Sequence, residues 1–201
     1  MPIMPVGERV FCRTPLWGGL ARRIVLPWAL RGVHLSGHVL EIGGGGGAMA
    51  AGTLARFPAA RVTVADLDPV MVRATSRRLA AFGSRAHAQV GDATALPFDD
   101  ASFDVVVSYL MLHHIGNWED AVAEVLRVLR PGGRFVGYDL IDTVASRAIH
   151  HADGIHDLRS ITAPALRAEL AKAGLGATAG SDDVVLRRGR LTLRWVATKP
   201  A

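Results

Sequence analysis

The chain has 201 residues, half of them hydrophobic, which suits one medium-sized domain with a substantial core and argues against a disordered or collagen-like polypeptide. Its formal net charge of +5 rests almost wholly on arginine, since Lys172 and Lys199 are the only two lysines. No dense basic run appears, so the charge reads as a solvated surface and nucleic acid is not an expected partner. The single cysteine, Cys12, excludes an intramolecular disulfide. Met1-Pro2-Ile3-Met4-Pro5 lacks the pattern of a signal peptide, and no apolar run reaches the roughly 18 residues of a membrane span. A cytoplasmic location is the expectation.

Residues 1–37 read as an N-terminal helical segment. Leu20 to Leu30 is apolar with paired arginines, and Trp17 and Trp28 lie nearby. This predicts a helix bent or stopped near Pro27. Such a segment suits a lid over a substrate pocket or a helix on the domain edge. Contact with a membrane surface is a third reading, disfavoured by the shortness of the segment and its few basic residues.

Residues 38–201 form the predicted main domain, in which strands and helices alternate. Val39-Leu40-Glu41-Ile42 is a short strand running into five glycines, Gly43 to Gly47. Ala48 to Arg56 is a helix stopped by Phe57-Pro58. Arg61 to Asp66 is a strand rich in β-branched residues. Pro69 to Phe82 is a helix, with Asp68 suited to its N-cap and Pro69 to its first turn. Ala86 to Val90 is a weaker strand. Phe103 to Tyr109 is apolar throughout and so predicted to be buried on both faces. Trp118 to Leu129 is a helix with an apolar stripe at Val122, Val125, Leu126 and Leu129, stopped by Arg130-Pro131-Gly132-Gly133. Arg134 to Leu140 is a strand, followed by a polar stretch from Asp142 to Ser160. Thr162 to Ala173 is a helix with Thr162 as N-cap and Gly174 as its stop. Asp183 to Arg187 and Leu191 to Thr198 form a closing hairpin around Arg188-Gly189-Arg190. This order predicts an α/β, Rossmann-like, doubly wound sheet, mostly parallel, with one antiparallel strand from the C-terminal hairpin.

In such a sheet, ligands bind at the carboxyl ends of the strands, where the glycines sit. Gly43, Gly45 and Ala48 match the dinucleotide fingerprint, and Asp66 ends the next strand at about the expected distance of 20 residues. An NAD(P)-dependent oxidoreductase is therefore a rival reading. Charge distinguishes the two. A pyrophosphate at the loop would be opposed by Glu41, whereas a cationic ligand would suit that acid. Asp66 can accept from both hydroxyls of a ribose.

These residues stand in a familiar order. Val39 to Gly47 resembles the first motif of class I S-adenosylmethionine-dependent methyltransferases, and Val64 to Pro69 resembles their second-strand motif. Gly91 to Phe98, followed by Ser102 to Ser108, resembles their adenine-side and fourth-strand motifs. Leu126 to Phe135 resembles the turn before their fifth strand. The resemblance spans roughly residues 38 to 140. It implies a seven-stranded sheet, S-adenosyl-L-methionine as cofactor, and methyl transfer to a small-molecule acceptor. It places Glu41, Gly43 and Gly45 at the methionine part, Asp66 on the ribose, Leu67 beside the adenine, Asp92 and the Ala93 amide on the adenine ring, and the Ser108 backbone near the ammonium. Asp104 is expected to fix the start of its strand.

Leu112-His113-His114-Ile115 closes the fourth-strand motif. Histidine is a residue type suited to a general base, though strand-end packing is the plainer role for each. The cluster His150, His151, Asp153, His156 and Asp157 lacks regular ligand spacing, so no metal is expected. The apolar N-terminal segment points to a hydrophobic or lipid-like acceptor. Two further readings stay open: a donor-binding domain without catalysis, and a nucleic-acid methylase. The Ser108-Tyr109-Leu110-Met111 run lacks the Pro-Pro signature of exocyclic-amine methylases.

Overall fold

A computed structural model describes residues 6–140, 161–175, 184–188 and 192–201. The polar stretch with the histidine cluster and the turn of the closing hairpin lie outside the described residues.

Among these residues, seven strands hydrogen-bond in one sheet, in the order β3-β2-β1-β4-β5-β7-β6. They are β1 Gly37–Ile42, β2 Ala60–Asp66, β3 Ala86–Val90, β4 Phe103–Tyr109, β5 Leu129–Leu140, β6 Val184–Arg188 and β7 Thr192–Thr198. Pairings among β1 to β5 are parallel; β7 lies antiparallel to both β5 and β6. The chain order reverses between β1 and β4, which is where an open α/β sheet opens a crevice at its carboxyl edge.

Alternating residues divide the strands between two cores. Val39, Val62, Val64, Val105 and Val107 face α4 (Ala48–Arg56) and the N-terminal helices. Leu40, Ile42, Val106 and Phe135 face α6 (Trp118–Val128) and α7 (Ala163–Lys172). The central strands are apolar on both sides because both sides are covered. Helix α5, Pro69–Leu79, starts as the sequence predicts: Asp68 Oδ1 accepts from the Val70 amide at 2.8 Å and Pro69 fills the first turn. It ends earlier than expected, continuing as a tighter helix over Ala80–Arg85 in which Gly83 has φ +57°. The Thr162 cap on α7 and the left-handed stop at Gly174, φ +82°, are as read from sequence.

The N-terminal segment is helical and stops at Ala29, close to Pro27, as the sequence predicts. It runs as α1 Val6–Arg13, α2 Pro15–Leu20, a π turn at Ala21–Val25 and α3 Leu26–Ala29. Proline removes a donor from the helical ladder, and the chain adapts by widening the preceding turn: the Leu26 amide donates to the Ala21 carbonyl, five residues back. The Arg130-Pro131-Gly132-Gly133 turn belongs to β5, not to a separate loop. A register shift against β4 between Phe103 and Val105 and φ +74° at Gly132 absorb it. Deeper in the sheet, a Cβ on Gly137 would stand 2.4 Å from both the Ser108 carbonyl and the Trp195 ring. No described helix is long and apolar enough to cross a membrane.

Candidate cofactor site

The glycine loop joins β1 to α4 in a space that admits no side chains. Gly43, Gly45 and Gly47 have φ of +66°, +53° and +72°. A Cβ on Gly43 would lie 2.0 Å from Met111 Cγ, and one on Gly44 2.3 Å from Val64 Cγ1. The loop is therefore pressed between the segment after β4 and the end of β2, at the reversal point of the sheet.

Asp66, at the end of β2, supports this loop directly. Its Oδ2 accepts from the Gly45 amide at 2.8 Å and its Oδ1 from the Asp68 amide at 2.9 Å. Both carboxylate oxygens are thus engaged once by backbone, a role the sequence reading did not foresee. Each oxygen retains a further acceptor site. Burial pushes the carboxyl up from its ordinary value, against the two amides that pull it down.

Glu41 is the most unusual group of the site. It is 2% exposed, and its Oε2 has no hydrogen-bond partner. Burial, then the neighbouring charge of Asp66, pushes it up to about 8. A buried carboxylate without a cation or donor is costly to ionise. Among the described residues no basic group is paired with it: its position on β1 turns it toward the same face as Val39, against α4.

Of the adenine-side candidates, Asp92 forms a tight turn after Gly91. Its Oδ1 accepts from the Thr94 amide at 2.9 Å and the Thr94 hydroxyl at 2.7 Å. Burial would raise it, but the Thr94 amide and hydroxyl outweigh this and hold it below its ordinary value. Ala93 is buried against the α6 core, and Leu67 is half-buried between β2 and α5. Ser108 is fully buried at the register point where β1 pairs with β4; its hydroxyl has no partner. Glu41, Gly43, Gly45, Asp66 and Ser108 therefore gather at the carboxyl ends of β1, β2 and β4. Asp104 stands at the opposite edge, where Oδ2 accepts from the His38 amide at 2.7 Å and Oδ1 from Arg130 at 2.7 Å, fixing the strand start.

The structure also brings in Asp139, which sequence reasoning missed. His113 Nδ1 pairs with Asp139 Oδ1, and the His113 amide donates to Oδ2 at 3.3 Å. Asp139 is fully buried and His113 nearly so. The His113 and His114 rings lie 4.0 Å apart. An acid at the carboxyl end of an apolar parallel strand was the available signal. The N-terminal segment closes on the loop as well. The Cys12 carbonyl would be 2.6 Å from a Cβ on Gly46, Arg9 pairs with Asp68 at 3.2 Å, and Arg78 donates to the Arg13 carbonyl at 3.2 Å.

Comparison with known proteins agrees with this geometry. Residues 39–133 match the model of a methyltransferase domain family. The ubiquinone/menaquinone biosynthesis C-methyltransferase UbiE of Paracoccus denitrificans is 42% identical over 102 residues, covering 49% of this chain and 40% of that protein. The demethylmenaquinone methyltransferase of Thermus thermophilus is 35% identical over 116 residues, 55% of this chain and 53% of that one. The chain thus spans about half or less of the length of these curated relatives. The fold is shared with the [4+2]-cyclase SpnF, at a TM-score of 0.72 and 19% identity, over 100% of this chain and 98% of that one. Residues 39–133, from β1 into β5, thus resemble a methyltransferase domain over just under half of the chain.

Proposed function

We propose that this chain binds S-adenosylmethionine at the carboxyl ends of β1, β2 and β4 and passes its methyl group to a small apolar or lipid-like acceptor. The observation that carries this reading is the unpartnered Oε2 of Glu41, buried beside a loop that only glycine can form. A cationic ligand supplies the partner it lacks and favours its ionised form; a pyrophosphate would disfavour that form further. When bound, the cofactor supplies a methyl group already activated on a positively charged sulfur. What remains for the protein is to bind, orient and exclude water.

In this reading Asp66 holds the ribose with the acceptor capacity left beyond Gly45 and Asp68, and Leu67 flanks the adenine. Asp92 accepts from the adenine amino group, with the Ala93 amide donating to the ring. Gly43 and the Ser108 backbone lie along the methionine part. Helix α1 acts as the cover, tied down through Cys12, Arg9 and Arg13. The names of the quinone-pathway relatives support an apolar acceptor. His113 serves as base for an acceptor that must lose a proton: Asp139 at Nδ1 fixes that nitrogen as the protonated one and makes Nε2 the basic one. His114, stacked on it, packs.

Calorimetric titration with S-adenosylmethionine tests the binding, and no heat up to millimolar donor would sink the proposal. A second reading, a donor-binding domain without methyl transfer, draws support from the fold shared with the [4+2]-cyclase SpnF. Transfer of labelled methyl to an apolar cell extract excludes it. Asp139→Asn should lower turnover and displace its pH profile while donor affinity holds; an unchanged profile removes His113 as base.

A further inference from the structure

Among the described residues, six of the seven large apolar side chains that stand exposed lie between Val10 and Trp28. Leu16, Leu20, Ile24 and Trp28 recur every four residues and are exposed to 78, 41, 63 and 42%. In an unbroken α-helix each such step drifts by about 40°, so that the fourth residue would leave the face of the first. The π turn at Ala21–Val25 is wider and turns the phase back. The turn that accommodates Pro27 therefore also keeps the four side chains in one stripe.

The stripe has a charge border of one sign. From Arg9 to Leu40 there is no acidic residue, while Arg9, Arg13, Arg22, Arg23 and Arg31 are all present. Arg13, Arg22, Arg23 and Arg31 are exposed. Trp28 keeps one edge on Tyr138, at 5.1 Å between ring centres, and offers the rest of its ring outward. The opposite side of the segment is spoken for: Leu26 packs on Gly52, and Arg194 donates to the Ala29 and Arg31 carbonyls at 2.6 and 2.5 Å. The exposed face is thus held rigidly outward.

We propose that this face docks on an anionic lipid bilayer, lying in the interface with Leu16, Leu20, Ile24 and Trp28 among the acyl chains and the arginines at the headgroups. An apolar stripe with an aromatic anchor and a purely cationic border matches that surface in both polarity and charge. The segment is too short to span it. The inference does not require the methyl acceptor to be a lipid.

The test is co-sedimentation of the full chain with vesicles of phosphatidylcholine alone and of phosphatidylcholine with phosphatidylglycerol. Binding is expected only to the anionic vesicles, weakened by high salt, with Trp28 fluorescence quenched by brominated acyl chains and the quenching reduced in Trp28→Phe. Leu16→Ser with Ile24→Ser should weaken partitioning at least tenfold, and Arg23→Gln with Arg31→Gln about as much. Donor affinity, measured on the same samples, should not change in any of these variants. Absent binding, or binding that the Leu16/Ile24 pair leaves intact, overturns the proposal. So does a dimer by light scattering that the same pair dissolves, which would assign the face to a second copy. Donor titration fails or succeeds independently of the vesicle result, so the two readings are separable.

Discussion

Two acids mark the opposite edges of the sheet, and their surroundings push them in opposite directions. At the amino edge, burial raises Asp104, but the His38 amide and the Arg130 guanidinium outweigh it and hold the carboxyl below its ordinary value. At the carboxyl edge, Glu41 has neither amide nor cation at Oε2 and is pushed up to about 8. One acid is complete within the chain; the other is not. In the proposed reading the contrast marks where this chain leaves a group for a ligand to answer, at the edge where the strand order switches.

The comparison can be broken most severely at Asp66. Asp66→Ala leaves two buried amides without acceptors, which should cost about 3 kcal/mol of stability in chemical denaturation and more than a hundredfold in donor affinity. Unchanged donor affinity would remove its ribose role. Glu41→Gln should weaken donor binding by about 2 kcal/mol, read by calorimetry, while stabilising the free protein at alkaline pH. The sign follows from its raised folded value: the carboxyl costs nothing below its unfolded value near 4.5, and stability is lost as pH rises toward about 8. The variant should flatten that slope. In the wild type, a cationic donor should expel the Glu41 proton between those limits, making the binding enthalpy depend on the buffer's ionisation heat. A buffer-independent enthalpy would mean Glu41 does not meet the cation. The smallest effect belongs to the other edge. Arg130→Gln should cost less than about 1 kcal/mol, because the Arg130–Asp104 pair is substantially exposed, and should leave donor affinity as it was. What the pair does contribute is present above the unfolded value of Asp104 and lost as pH falls through its depressed one.

Much of the scaffold was legible because local pattern and burial agree there. The span Phe103–Tyr109 is what its apolar run predicts, and α4 and β3 begin and end where sequence placed them. The loop's position at a strand end, the Asp68 cap and the Asp104 anchor were equally readable. Legibility failed where the cause lies far along the chain. His113 and Asp139 are 26 residues apart and meet only because β4 and β5 are neighbours. The Cys12 carbonyl over Gly46 and the Arg9–Asp68 pair depend on how the N-terminal helices are carried back across α4. At Pro27 the sequence predicts the stop but not its form: the missing donor is met by a wider turn before the helix ends at Ala29.

The close approach of Trp195 to Gly137 has a consequence for how this sheet could change over time. Gly137 leaves a slot on β5, and its antiparallel partner Trp195 fills it from the next strand. A strand shifted by one residue turns every side chain to the opposite face, so a single insertion or deletion in β7 would send the indole out of its slot and empty the core beside Phe135. The last strand is accordingly keyed like a pin in a lock. The spacing of residues 192–198 is fixed by one missing side chain more than fifty positions earlier.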